Sequence, residues 1–281
     1  IEELKKYDFS KAEITIFDAG SEIAKNWVPS SAKKTIVIDN SKQFRMDKDV
    51  PLIVPEVNPN DLKKHKNIIA NPNCSTIQLV LPLKPLHDKY KIKRVIVSTY
   101  QAVSGAGKLS VDELFSQTKD FLNNKKVESR NFTKQIAFNL IPHIDIFVKD
   151  GYTKEEWKME NETKKILDKN IGLSATCVRV PVKTSHSESV NIEFENEYDL
   201  NTVKEILRNA SGCRVIDEEK DGGYITPLEA EDEYLTFISR IRKDHSNKKA
   251  INIWVVSDNL LKGAALNSVQ IAEYLEERLK K

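Results

Sequence analysis

Up to about residue 70, short β-branched runs alternate with stretches of helical period. "EITIFDAG" (13–20) predicts a buried strand ending in a turn, and "SEIAKNWV" a helix opening on a capping Ser21. "TIVIDN" (35–40) predicts a second strand, and "PLIVPEV" (51–57) and "NIIA" (67–70) are shorter strand-like runs. This alternation calls for a parallel sheet with helices on its faces. From about Tyr90 the pattern changes. "IKRVIVSTYQAV" (92–103), "ATCVRVPV" (175–182) and "SVNIEFE" (189–195) read as strands, the last two alternating as half-covered ones do. "YLTFISRIRK" (234–243) and "KAINIWVVSD" (249–258) read as an antiparallel pair across the polar turn "DHSNKK". Helical segments lie between them at "KLSVDELFSQTKDFLNN", "TKEEWKMENETKKILDKN" and "DLNTVKEILRNA". A long amphipathic segment, "LLKGAALNSVQIAEYLEERLKK", ends the chain. The fold class is therefore α/β: a parallel-sheet domain, then an α+β domain with a mixed sheet.

Composition narrows the setting. A chain of 281 residues is long enough for two domains. Its formal charge of +2, with acids and bases interspersed, gives no electrostatic reason for nucleic acid or an acidic membrane surface as partner. Cys74, Cys177 and Cys213 are widely spaced, and no CxxC or Cys/His cluster occurs. This argues against a disulfide framework or a metal site and for reduced thiols in a cytoplasm. No apolar run reaches the roughly 20 residues of a membrane span.

The junction "NIIANPNCSTIQLVLPL" carries the first candidate chemistry. A strand-like run stops at Asn71-Pro72, and a helix-length apolar segment follows Cys74. Cys74 is thus expected at a helix N-terminus, where unpaired N–H groups and the dipole favour the thiolate and can lower a free-thiol pKa of about 8.5. Asn73 beside it is a candidate oxyanion donor. The competing reading is a buried structural cysteine, the one preferred for Cys177 and Cys213.

A nucleophilic thiol needs a proton acceptor. Among the histidines, His186, flanked by serines between two strand patterns, is the best placed; the alternative is a loop histidine satisfied by Ser185 or Ser187. Arg179, in the apolar run "CVRVPV", either faces solvent or pairs with an anion, for which its guanidinium fork suits a carboxylate. Thr153 and Glu156 form a capping box. Glu155 and Lys158, three apart, share a helix face. They are either an ordinary exposed ion pair or the two ends of a clamp for a zwitterion. Arg45, after the "TIVIDN" strand, can meet a phosphate at the carboxyl edge of a parallel sheet. The glycines of "AVSGAGK" allow close backbone approach by a ligand. No GxGxxG or GxxGxxG loop occurs near the N-terminus.

"VIDNSKQFRMDKDVPLIVPEVNP", "NPNCSTIQ", "STYQAVSGAGK", "EEWK", "CVRVPV…HSES" and "SDNLLKGAALNSVQIAEYL", in this order, closely resemble the aspartate-semialdehyde dehydrogenases over nearly the whole chain. The resemblance implies NADPH-dependent reductive dephosphorylation of L-aspartyl-4-phosphate to aspartate semialdehyde, with inorganic phosphate as product or co-substrate. That step leads toward lysine, methionine and threonine. It implies that Cys74 attacks the acyl phosphate, that His186 is the acid/base group, and that Gln101 orients the substrate. By the same matches Arg179 holds the α-carboxylate, and Glu155 receives the amino group. Lys158, Arg45 and Asn73 surround the phosphate, while Ser104, Gly105 and Asn259 lie near the cofactor. A homodimer is implied. Residues 1–73 with the C-terminal helix 258–281 are expected to form the NADP-binding domain, and 74–257 the catalytic and dimerisation domain. The family opens with a strand, a glycine-rich turn and a helix; this chain opens on "IEELKKYDF". The expectation is that at least a βαβ unit's worth of sequence, about 30 residues or more, is missing, leaving a partial Rossmann-type cofactor domain, which bears on whether the chain as given binds NADP or turns over.

Two other readings compete. N-acetyl-γ-glutamyl-phosphate reductase runs the same chemistry on a blocked amine, which gives Glu155 no ammonium to pair with. A cofactor-free cysteine acyltransferase or hydrolase explains Cys74 and His186 but leaves the parallel-sheet half unused.

Overall fold

The computed structural model describes residues 1–279, without the side chains of the last two of these. The first β-branched runs form a parallel three-stranded sheet, β1 (Ile14–Phe17), β2 (Ile36–Asp39) and β3 (Ile68–Ala70), in that spatial order. In register, Ile16 lies opposite Ile38, and Ile38 opposite Ile69. The period-two alternation of β2 sends its residues to two cores. Val37 packs with Phe17, Val28 and Ala70. Ile38 packs with Ile53, Leu62 and Ile69. Helix α1 (Ser21–Ser31) makes the first crossover, with Gly20 at its N-cap at φ +82°. Ser21, expected as the cap, is the first helical residue: the left-handed backbone turn needs glycine, and no side chain caps this end. The run 51–57 is not a strand. Pro51 and Pro55 interrupt its donor row, and only Leu52 bridges Ala70.

Helix α2 (Cys74–Tyr90) leaves the end of β3 and runs through the middle of the molecule. Beyond it lies a six-stranded mixed sheet of β4 (Ile92–Gln101), β5 (Gly172–Arg179), β6 (His186–Phe194), β7 (Cys213–Val215), β8 (Thr236–Lys243) and β9 (Ala250–Ser257). Its spatial order is β5-β4-β6-β9-β8-β7. β4 pairs parallel to β5 and antiparallel to β6, and β8 and β9 form the expected antiparallel pair. The intervening helices are α3 (Lys108–Leu122), α4 (Lys154–Ile166) and α5 (Leu200–Arg208). One face of this sheet is buried, with Val95, Val97, Val190 and Ile192 packed against Leu79, Leu83 and Met159. The other face carries Ile96, exposed, and the ring pair Tyr100–Trp254.

The C-terminal segment opens as a π-helix over Leu261–Ala265 and continues as α6 (Leu266–Leu279). Ile271 and Leu275 pack on Ile38, Ile53, Leu62 and Ile69, so α6 covers the second face of the parallel sheet. No described helix is long and apolar enough to cross a membrane.

Candidate active site

A cleft of about 450 Å³ lies between the carboxyl ends of the parallel strands and the mixed sheet. Asp18, Asn40 and Asn71, each just past a parallel strand, line one side; Gln101, Glu155, Lys158 and Arg179 line the other; Cys74 lies between.

Cys74 is the first residue of α2, as its position after Asn-Pro-Asn predicts. Asn73 is the N-cap: its Oδ1 accepts from the Ser75 and Thr76 N–H groups at 3.1 and 3.3 Å. Its own N–H donates to Glu162 Oε2 at 2.6 Å and its amide to Glu155 Oε1 at 2.9 Å. Asn73 is therefore held on both sides, and the adjacent thiol with it. The expected lowering of the thiol pKa is not found. Burial first, then the Glu155 carboxylate, push it up to about 11, against the pull of Arg179, Arg45 and Lys158. The helix-mouth placement is present, but the acid beside it and the loss of water outweigh it.

Glu155 and Lys158 are not an exposed pair. Both are buried, with Lys158 Nζ 2.9 Å from Glu155 Oε2. Burial alone would raise the Glu155 carboxyl, but Lys158 and hydrogen bonds from Asn73 and Gln101 take it down to about 2. Thr153 and Glu156 close both halves of the expected capping box, which sets the start of α4. Gln101 Nε2 donates to Glu155 Oε1 at 3.1 Å, and its Oε1 accepts from Thr99 Oγ1 at 3.0 Å, which fixes the amide's orientation.

Arg179, at the end of β5, lies opposite Gln101 in register. It is 6 % exposed and lines the cleft, with Nη1 donating to the Ala102 carbonyl at 2.6 Å. His186 opens β6 and is fully buried behind that lining. Its Nδ1 accepts from the Ala102 N–H at 3.0 Å, so the neutral ring carries its proton on Nε2. Burial, then Arg179, pull its pKa down to about 3. His186 is thus set as a hydrogen-bond donor through Nε2–H, which has no partner among the described residues. A Cβ at Gly105 would lie 3.0 Å from that Nε2 and 3.1 Å from Arg179 Nη1, so only glycine leaves both groups uncovered.

Ser104 and Asn259 hold each other, Ser104 Oγ donating to Asn259 Oδ1 at 3.1 Å; that amide oxygen also accepts from the Ser185 N–H. Arg45 reaches the cleft from the loop after β2 and pairs with Glu162 Oε1 at 3.2 Å. All the sequence candidates except His186 lie on the cleft wall itself.

Sequence reasoning missed four residues. Glu162 shares the α4 face of Glu155 and Lys158, a spacing legible as i, i+3, i+7. Asp145 accepts from both Lys158 and Lys42. Gly263, in the π-helix, backs directly onto Cys74: an added Cβ would lie 2.9 Å from Cys74 Cβ. Nothing in the sequence marked Asp145, Lys42 or Gly263. The other histidines serve elsewhere: His87 Nδ1 accepts from Ile92 N–H, and His143 stacks on Phe147.

Fold and site together define a semialdehyde dehydrogenase, an oxidoreductase with a nucleotide-cofactor region. The family model for the semialdehyde dehydrogenase NAD binding domain matches residues 1–65, and that for the dimerisation domain residues 83–262. The aspartate-semialdehyde dehydrogenase of Aquifex aeolicus is 53 % identical over 96 % of this chain and 81 % of its own length. That of Bacillus subtilis is 47 % identical over 99 % and 83 %. The crystal structure of aspartate semialdehyde dehydrogenase II from Vibrio cholerae superposes with a TM-score of 0.95 at 45 % identity, covering 98 % of this chain and 82 % of that one. A second structure of that enzyme is a complex with ASA, and the Candida albicans enzyme with NADP matches at TM-score 0.73 and 27 % identity. This chain belongs to the aspartate-semialdehyde dehydrogenase family.

Proposed function

We propose that the chain interconverts L-aspartyl-4-phosphate and L-aspartate 4-semialdehyde with NADP(H) and inorganic phosphate, in amino-acid biosynthesis in the cytoplasm, as a homodimer. The observation that carries this is the placement of Cys74 on a helix N-terminus in one cleft with Glu155, Arg179, Arg45 and Lys158. Those are the groups a small amino acid bearing an acyl phosphate requires.

In the reductive direction Arg179 takes the substrate α-carboxylate and Glu155 its ammonium, with Gln101 aligning the side chain. Asn73, Arg45 and Lys158 surround the phosphoryl group. Cys74 sulfur bonds to the acyl carbon as the carbon–oxygen bond to phosphate breaks, leaving a thioester. Burial, then the Glu155 carboxylate, hold the thiol up at about 11; an ammonium seated on Glu155 cancels part of the second effect, which shifts the thiol toward the thiolate. His186 Nε2–H donates to the oxygen that becomes negative when the thioester is reduced; that oxyanion re-forms the carbonyl as the carbon–sulfur bond breaks and Cys74 leaves as the thiolate.

The cofactor fits the cleft. Its walls run from the carboxyl ends of β1, β2 and β3 to Cys74, the usual place for a nucleotide in an open parallel sheet. Ser104, Gly105 and Asn259 would hold it at the thiol end; when bound it supplies the hydride. The packing of α6 on β2 and β3 supports residues 1–73 with the helix 258–281, of which 280 and 281 lie outside the described residues, as the cofactor domain and 74–257 as the catalytic and dimerisation domain. Glu155 disfavours an N-acetylated substrate, which has no ammonium for it. The test is phosphate-dependent reduction of NADP with aspartate semialdehyde: wild type turns over and Cys74→Ala does not. Turnover by Cys74→Ala at more than a trace of the wild-type rate refutes the mechanism.

A further inference from the structure

Besides Arg179, three cations line the cleft: Lys42 and Arg45 from the loop after β2 on one side, and Lys158 from α4 on the other. Three carboxylates answer them, and they are not alike. Glu155 and Glu162 sit on α4, 4 % and 1 % exposed. Glu155 accepts from Asn73, Gln101 and Lys158; Glu162 accepts from the Asn73 N–H and Arg45. They are fixed. Asp145 sits on an irregular loop at φ +67°. Its Oδ2 takes Lys158 at 2.9 Å and Lys42 at 3.0 Å, and its Oδ1 takes only its neighbour's N–H. Two ammonium groups from opposite walls thus share one carboxylate oxygen. Nearby, Arg45 Nε is buried with no partner among the described residues.

We propose that Lys42 is a further ligand of the phosphoryl group, held at the cleft mouth by Asp145, which the arriving anion displaces. This rests on the reading of Arg45, Lys158 and Asn73 as the phosphoryl pocket. Swinging Asp145 out leaves these three cations facing two carboxylates, Glu155 and Glu162, one positive charge in excess. A phosphoryl dianion then takes the place of the carboxylate between Lys42 and Lys158. Lys42 is half-exposed and free to follow, while Lys158 stays anchored by Glu155.

The two partners predict opposite signs. Binding of inorganic phosphate to the full chain is measured by titration calorimetry. Lys42→Met weakens it by about fivefold, the scale of a partly exposed charge pair, and Lys42→Arg restores it. Asp145→Asn, which removes the competing charge, tightens it. In the assay with aspartate semialdehyde, the KM for phosphate follows the same order and that for the semialdehyde does not move. Weakening by both variants would mean that Asp145 only positions Lys158, and overturns the proposal; so does an unchanged affinity in Lys42→Met, or no phosphate binding by wild type. If the opposite shifts appear in a chain that fails to reduce NADP, this proposal stands and the proposed reaction falls. Circular dichroism melts confirm that each variant is folded.

Discussion

Gly263→Ala probes how tightly the nucleophile is held. The added methyl would lie 2.9 Å from Cys74 Cβ, 3.4 Å from its Cα and 3.6 Å from Asn259 Cβ. Carbon atoms in contact rest at about 3.5–4.0 Å, so the two must part by roughly 0.6 Å or more. Neither side gives easily. Cys74 follows an N-cap held by Glu155 and Glu162. Gly263 donates its N–H to the Asp258 carbonyl at 3.1 Å, and the adjoining Lys262 is fully buried with Nζ on both Glu56 oxygens. Overpacking of this kind costs about 1–3 kcal/mol, a Tm loss of about 2–4 °C per kcal/mol in a chain of this size. Shifting a reacting atom by about 1 Å can cost about 100-fold, so the proportionate loss in kcat is about 10-fold or more. The KM for aspartate semialdehyde should change little, because Arg179 and Glu155 do not touch Gly263. Gly222→Ala is the control. Its φ of +73° strains an alanine in open space, so it lowers Tm without touching kcat. Steady-state kinetics and melts on both variants give the answer. A Gly263→Ala enzyme with wild-type kcat refutes the claim that the π-turn sets the thiol's position.

Two predictions concern buried acids. Glu155 has its carboxyl at about 2 against an ordinary 4.5, so its ionised form stabilises the fold above pH 4.5 and that contribution fades as pH falls through 2. The difference corresponds to on the order of 3 kcal/mol. Urea midpoints between pH 6 and 2.5 should fall less steeply for Glu155→Gln than for wild type, and parallel curves contradict the assignment. Glu188, on β6, is fully buried, and burial pushes its pKa well above 4.5 against the opposing pull of the neighbouring Gln78 amide. It folds as the neutral acid but ionises when unfolded, so folding is penalised progressively as pH rises above 4.5. Glu188→Gln escapes that penalty, and its Tm advantage over wild type should grow from pH 5 to pH 8; a constant difference shows that Glu188 is ionised in the fold.

What the sequence made legible depended on short-range physics. Asn73-Cys74 at a strand-to-helix junction and the Thr153/Glu156 box are local hydrogen-bonding patterns, and both formed as read. Ser21 was misread because a serine is the commoner cap; the turn before it needed Gly20's positive φ instead. The 51–57 run has strand composition, but its prolines leave it one bridge. The thiol's pKa is another matter. Its sign is set by burial and by Glu155, which lies 81 residues further along the chain and meets it only through the packing of α4 against α2. Asp145 was invisible for the same reason: its two lysines come from opposite walls of the cleft, and its loop has no regular pattern to predict.

The site therefore rests on sheet register as much as on residue type. The parallel pairing of β4 with β5 sets Gln101 beside Arg179, and the antiparallel pairing of β4 with β6 sets Tyr100 opposite Ser187. His186 follows at the same end, with its Nδ1 on the residue after Gln101. Side chains in a strand alternate faces, so a slip of one residue in either pairing would carry its partner side chain to the opposite face of the sheet. The same register buries Val95 and Val97 of β4 with Val190 and Ile192 of β6 in the main core. A slipped β4 or β6 would expose these apolar side chains, so the hydrophobic core enforces the catalytic alignment. The polar members bring their own insurance. Burying Glu155, Glu162, Arg45 and Lys158 is tolerable only while each keeps its partner, since a buried charge left alone costs several kcal/mol. Removing one therefore loosens the others, and the site assembles as a unit with the fold.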